Sequence, residues 1–202
     1  MKLNNKRTIL VGLAFLSICA FWQMYDSVVP LILTKTFHMN ETFSGAIMAA
    51  DNILALFLLP FFGSLSDRSH SKIGKRMPFI LFGTGCAVIL MNILPLLDNS
   101  YAAQPSGLKT ASFVIVLGLL LVTMGTYRSP AVALMPDVTP KPLRSRANAI
   151  INLMGAVGGI LYLGVAAVLY PNSKTAGLDP VNYPPLFIVV SALAAYLTII
   201  RY

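Results

Sequence analysis

Asp26, Asp51 and Arg128 each interrupt a long apolar run. An ionisable side chain at membrane depth costs at least about 2.5 kcal/mol, so each is read first as a functional residue. Asp26 stands about eight residues before the end of its run and Asp51 about eight after the start of the next, which at 1.5 Å per residue sets both roughly 12 Å below the same surface. Two carboxylates at equal depth on neighbouring helices suit the binding of a proton or a cation, because two desolvated like charges cannot comfortably coexist. The alternative for Asp51, which follows Ala50 and precedes Asn52, is a helix-to-helix hydrogen bond that never titrates. Trp22 and Asp26 share a helix face at i, i+4, with Gln23 and Ser27 beside them. A ring next to a carboxylate fits a polyhydroxylated ligand, which offers apolar C–H faces and many hydroxyls; packing in the core or against lipid is the other reading of Trp22. Arg128 either snorkels towards the nearer surface or faces a ligand cavity. Asn148 and Asn152 project from one face at i, i+4, and Asn152 either joins that cavity or bonds to a neighbouring helix.

The elements that must position these residues follow from composition. Of 202 residues, 56% are hydrophobic and 11% charged, far below the roughly 25% charged of a soluble domain. So little polar surface excludes an ordinary soluble enzyme and a disordered tail, and points to an all-α integral membrane protein of the cell membrane, embedded in the lipid bilayer. Six windows approach the roughly 20 apolar residues that a span requires: Thr8–Leu33, Phe43–Leu65, Pro78–Leu97, Thr110–Met135, Ala147–Tyr170 and Pro184–Ile200. The first, preceded by Lys2, Lys6 and Arg7, is too long for a signal peptide and reads as an uncleaved helix. Together the windows make one six-helix transmembrane bundle, residues 1–202.

The net charge of +8 reflects membrane orientation rather than nucleic-acid binding. Lys2, Lys6, Arg7, Arg68, Lys72, Lys75, Arg76, Lys141, Arg144, Arg146 and Arg201 fall on one side, against Lys35, Lys109 and Lys174 on the other. Basic residues collect in cytoplasmic loops, so both termini are expected in the cytoplasm. Cys19 and Cys86 lie inside apolar runs and offer no disulfide, metal or redox motif; no metal or cofactor is expected. His38 and His70 lie outside the windows, and no Ser/His or Cys/His constellation suggests an enzyme. Gly155 and Gly159 form a G-x-x-x-G suited to close helix packing. Asn40-Glu41-Thr42 matches a glycosylation sequon, with a helix N-cap as the simpler reading.

The second connection, residues 63–79, reads G-S-L-S-D-R-S-H-S-K-I-G-K-R-M-P-F. Placed after a second helix on the positive side, it resembles the signature loop of the major facilitator superfamily. The continuation G-K-R-M-P-F looks most like the sucrose/proton and the glycoside-pentoside-hexuronide/cation symporter branches. P-A-V-A-L-M-P-D at 130–137, followed by Arg144-Ser145-Arg146-Ala147-Asn148-Ala149, is similar to the end of helix four and the start of helix five in the same branches. The exporters' antiporter signature is missing at Gly158-Gly159-Ile160.

The resemblance implies one half of a major facilitator fold, with six transmembrane helices and both termini cytoplasmic. It would work as a secondary active transporter, a proton-coupled sugar or glycoside symporter using alternating access. Gly63, Asp67, Arg68, Gly74, Lys75 and Arg76 match the loop that latches the halves on the cytoplasmic side. Asp137 with Arg144 or Arg146 would form a second cytoplasmic charge cluster. Arg128 precedes Pro130 by two residues, where the glycoside branch places a sugar-contacting acidic residue. The helix-two acids of cation-coupled members sit nearer Pro60, where this chain has Ala55 and Leu59, so proton coupling through Asp26 or Asp51 is preferred to sodium. The substrate contacts expected are Trp22, Asp26, Arg128 and Asn152. The implied partners are a small-molecule substrate such as a sugar, a proton as coupling ion, and either a C-terminal six-helix half or a second copy. The alternatives are an exporter or carrier of another solute, and a non-transporting membrane sensor or truncated half.

Overall fold

The computed structural model describes residues 5–171 and 181–200. Among them run six α-helices and no strand: α1 Asn5–Leu31, α2 Glu41–Arg68, α3 Met77–Ala103, α4 Gly107–Val138, α5 Arg144–Leu169 and α6 Pro184–Ile200. Five of these elements are long and apolar enough to cross a membrane, and α6, with 17 residues, is a shorter apolar helix. Alternation of direction brings Arg68, Arg76 and Asp137 to one end of the bundle, the charged end, and Thr36, Glu41, Ala103 and Gly107 to the other.

Most helices run past their apolar windows, because a hydropathy window stops at the first polar side chain whereas the hydrogen-bond ladder does not. α3 continues from Leu97 through Asp98, Asn99 and Ser100 to Ala103. Its last turn is capped by Lys109, whose Nζ donates to the carbonyls of Ser100 at 2.7 Å and Gln104 at 2.9 Å. α2 starts at Glu41 because the Asn40 side chain accepts from Thr42 N at 3.0 Å, so the sequon asparagine serves as a cap. α1 continues into a widened turn, Ile32–Thr36, in which Phe37 N donates to Ile32 O at 3.1 Å. Such i→i+5 turns often accompany functional sites in helices.

α1 is the central helix, packed along α5 and against α6 and α4; α3 packs on α4 and α6, and α2 on α4. The largest buried side chains include Phe21, Met24, Tyr25, Ile32, Phe113 and Phe187. None of the most apolar stretch of α2 is buried, whereas most of that of α1 is. Phe43, Leu56 and Phe57 of α2 are left exposed for lipid or a further protein surface.

The close α1–α5 contact depends on small residues. A Cβ on Gly155 would stand 2.8 Å from Cys19 Sγ, and one on Gly158 would run into the Leu16 carbonyl. Gly159, at 3.7 Å from Gln23 Oε1, has room to spare. The packing pair is therefore Gly155 with Gly158, one residue off the G-x-x-x-G read from spacing, because α5 presents its i, i+3 row to α1. Polar bonds tie the helices together elsewhere: Ser17 Oγ to Tyr127 OH at 2.6 Å, Ser129 Oγ to Leu59 O at 2.7 Å, and Asn92 Nδ2 to Ser191 Oγ at 3.0 Å.

Candidate functional site

Two polar constellations emerge, one midway along the bundle and one at its charged end. The first is a cleft between α1, α2 and α4 lined by Trp22, Asp51 and Arg128, with Leu54, Leu58 and Gly125 among its apolar walls. Gly125 belongs there because a Cβ would press on Leu58 Cβ at 3.2 Å. Arg128 Cζ lies 5.3 Å from the centre of the Trp22 ring, within cation–π range, so the guanidinium turns into the cleft instead of snorkelling to the charged end. Trp22 in turn meets Phe21 and Tyr25 edge-to-face, each with ring centres 5.3 Å apart.

What distinguishes this cleft is unspent hydrogen-bonding capacity. Trp22 Nε1, Tyr25 OH and Asp51 Oδ1 are all buried without a partner. Buried polar groups are ordinarily satisfied, and here two of the orphans, on Trp22 and Asp51, line one cleft while the third belongs to Tyr25, which packs on Trp22. Asp51 and Arg128 line the same cleft without forming an ion pair. The enclosed space is about 20 Å³, room for one water molecule.

Asp26 is exposed on α1 and is close enough to Asp51 for the two carboxylates to repel. Trp22, Asp26, Asp51 and Arg128 are thus brought to one region. Asn152 is not: it is exposed on α5 and lies outside the cleft. Tyr25 was not singled out by type and spacing, although it falls three residues after Trp22 and one before Asp26, on the inward side of the same helix turn.

At the charged end Arg76, only 8% exposed, joins three helices. Its Nη2 meets Asp67 Oδ1 at 2.7 Å, its Nε donates to Asp137 Oδ2 at 2.6 Å, and its Nη1 donates to Ser66 Oγ at 3.2 Å. The forked guanidinium suits this task because its donors point in several fixed directions. Asp137 therefore pairs with Arg76 and not with Arg144 or Arg146, and the two charge clusters expected from sequence are one. Arg144 instead caps α4, donating to Pro136 O at 2.9 Å and Thr139 O at 3.3 Å, and Arg146 is exposed.

The glycines of the loop have separate causes. Gly63 sits where a Cβ would meet Ser129 Oγ at 3.1 Å, and Gly74 adopts φ 106°, which disfavours any side chain. Arg68 and Lys75 are exposed and form no ion pair among the described residues.

Residues 11–202 match the family described as Major Facilitator Superfamily. The chain belongs to the Major Facilitator Superfamily. It is a multi-pass membrane protein of a transporter family, and its relatives include the sucrose transporters that the loop resembled. The sucrose transport protein SUC3 of Arabidopsis thaliana is 34% identical over 145 residues, 66% of this chain and 24% of that protein. The sucrose transport protein SUT3 of Oryza sativa is 33% identical over 141 residues, 63% of this chain and 28% of that protein. The alpha-ketoglutarate permease of Escherichia coli is 25% identical over 197 residues, 96% of this chain and 41% of that protein. The chain thus spans less than half the length of these relatives. No solved structure matches it at a significant level.

Proposed function

We propose that the chain is a substrate-binding six-helix half of a proton-coupled sugar or glycoside symporter that works by alternating access. The observation that carries this reading is that Trp22 Nε1 and Asp51 Oδ1, both unsatisfied, belong to residues that line one cleft with Arg128, while Tyr25, its hydroxyl also unpartnered, packs on Trp22. A sugar would use the Trp22 face for its C–H surface and the orphaned donors and acceptor for its hydroxyls. The space there is too small for a sugar ring, so the substrate lies against the open side of α1, α2 and α4, where a second body supplies the opposite wall. That body is a C-terminal six-helix half or a second copy. In the family, substrate sites lie at the interface of two such halves.

Asp51, lining the cleft, is the preferred proton carrier, with Asp26 as its repelling neighbour. The Arg76 cluster holds the charged end together. With basic residues concentrated there, that end faces the cytoplasm and both termini lie with it. Opening it would separate a nearly buried guanidinium from two carboxylates that water already reaches, which makes the cluster a two-state latch.

A second reading has its own support. Arg128 has no carboxylate partner among the described residues, and the relative that aligns with 96% of the chain is named for an organic anion. An anionic substrate would pair with Arg128 and leave Trp22 as its apolar wall.

The test uses proteoliposomes holding the protein. Sucrose or another glycoside should alkalinise the external medium, and Asp51→Asn should abolish the signal. Trp22, the chain's single tryptophan, reports binding directly. An emission change with a glycoside but not with alpha-ketoglutarate supports the sugar reading, and the converse supports the anion. Saturable binding without flux would identify a non-transporting sensor and overturn symport.

A further inference from the structure

Asp98 stands near the end of α3 opposite the Arg76 cluster, is 1% exposed, and among the described residues has no hydrogen-bond partner on either carboxylate oxygen. It extends the buried stripe Met91, Leu94, Pro95 of α3, so its side chain is committed to the bundle interior. From α1, the widened turn presents Thr36, 5% exposed, whose hydroxyl faces Asp98 outside hydrogen-bonding geometry. Beside them Phe37 packs on Tyr101 of α3 at 4.3 Å and on Phe113 of α4 at 4.7 Å.

Among the described residues no cation pairs with this carboxyl. On the α1 segment Lys35 lines a different space, a cavity of 740 Å³ between α1, α5 and α6. On α4 Lys109 is committed to the carbonyls of Ser100 and Gln104. Helix α6 carries no charged residue, and α3 carries no other one within its own length. Glu41 and His38, near the start of α2, are exposed. An unpaired carboxylate so enclosed would bear the full penalty of lost hydration, whereas the neutral acid bears a small one.

We propose that Asp98 is a proton-binding site separate from Asp26 and Asp51, which holds its proton while α1 and α3 are closed against each other at this end. When the end opens, water reaches the carboxyl, the O–H bond breaks and the proton passes to that water. Loss of the proton then disfavours reclosure until one returns. Thr36 is also a wall of the 740 Å³ cavity, so the residue that faces Asp98 also borders a space large enough for water. Protonation at Asp98 and the position of the α1 terminus are therefore linked, and the same α1 carries Trp22 and Asp26 to the central cleft. The site itself rests on the geometry of α1 and α3; its coupling to opening rests on the alternating-access reading.

Infrared spectroscopy of the protein in lipid bilayers tests the site without any substrate. At about pH 5, where ordinary surface carboxylates are already largely ionised, a protonated-carboxyl stretch should be present in the wild type and in Asp26→Asn/Asp51→Asn, and lost in Asp98→Asn. Thr36→Val, which keeps Asp98, should shift the band but retain it. The absence of a band that depends on Asp98, or its disappearance with the ionisation of ordinary surface carboxylates, would overturn the site. Coupling is read from the distance between spin labels on Lys35→Cys and Ala102→Cys, both exposed at this end, with Cys19 and Cys86 replaced by serine. The distance should lengthen as pH rises in the wild type and stay short in Asp98→Asn. An unchanged pH dependence in that variant refutes the coupling while leaving the infrared result to decide the site.

Discussion

Arg76 makes a quantitative prediction because its two carboxylates are unequal to it in burial. The guanidinium is 8% exposed, whereas Asp67 and Asp137 are 59% and 47% exposed. A charge-assisted hydrogen bond contributes about 1.5–3 kcal/mol when well shielded, and exposure of the acceptors lowers this to about 1 kcal/mol for each pair. Asp67→Asn alone leaves Arg76 neutralised by Asp137, and Asp137→Asn alone leaves it neutralised by Asp67, so each single change should cost about 1 kcal/mol. The double variant leaves a nearly buried guanidinium with only Ser66 Oγ at 3.2 Å, and breaking a buried charge cluster in this way costs about 3–5 kcal/mol. The double variant should therefore lose more than the two singles combined. Adding Arg76→Met to it removes the stranded charge and should recover part of the loss. Denaturation in mixed micelles, followed by helical circular dichroism, measures all four variants. A double cost equal to the sum, or no recovery with Arg76→Met, would refute the argument that burial of Arg76 sets the energetics of this end.

Three further outcomes follow from single contacts. Gly158→Ala should destabilise the bundle by about 1–3 kcal/mol through its collision with the Leu16 carbonyl, while Gly159→Ala should be nearly neutral; thermal unfolding of the pair checks this. Gly74→Ala, at φ 106°, should cost about 1–2 kcal/mol and increase proteolysis within residues 69–76, since an L side chain disfavours that backbone region. Arg128→Met should alter the emission of Trp22, because it removes the charge 5.3 Å from the ring, and should reduce substrate binding far more than it reduces stability. Unchanged emission would mean that the guanidinium does not sit over the indole.

Much of this architecture is legible in the sequence, and what is not has a common physical origin. Apolar length reveals helices because every backbone polar group in a membrane must be satisfied within its own helix. The same criterion fails at helix ends, where polar side chains lower the hydropathy without breaking the ladder. That failure hid Asp98: the window for α3 closed at Leu97, one residue too soon. The stripe Met91, Leu94, Pro95, Asp98, at helical spacing, was nevertheless there to be read. The partner of Asp137 was hidden for a different reason. Sequence proximity favours Arg144 and Arg146, but Arg76, 61 residues away, reaches it because α3 starts where α2 and α4 end.

Residue type singles out Trp22, Asp51 and Arg128, which line the central cleft, but not how they face one another. Counting residues along helices sets Asp26 and Asp51 at similar depth, whereas the meeting of Trp22, Asp51 and Arg128 in one cleft is seen only in the structure. That the arginine lies over the indole while ignoring the carboxylate depends on side-chain directions that spacing does not encode. An Asp51–Arg128 ion pair would have satisfied both charges and closed the cleft as a structural feature. Its absence leaves Arg128, Asp51 and Trp22, the last two with unpartnered polar atoms, lining space for one water molecule. A structural polar network would hold its own partners, as Ser17 and Tyr127 do at 2.6 Å in the same bundle. The contrast between these two networks, one satisfied and one not, is the physical ground on which the proposed binding role of the second rests.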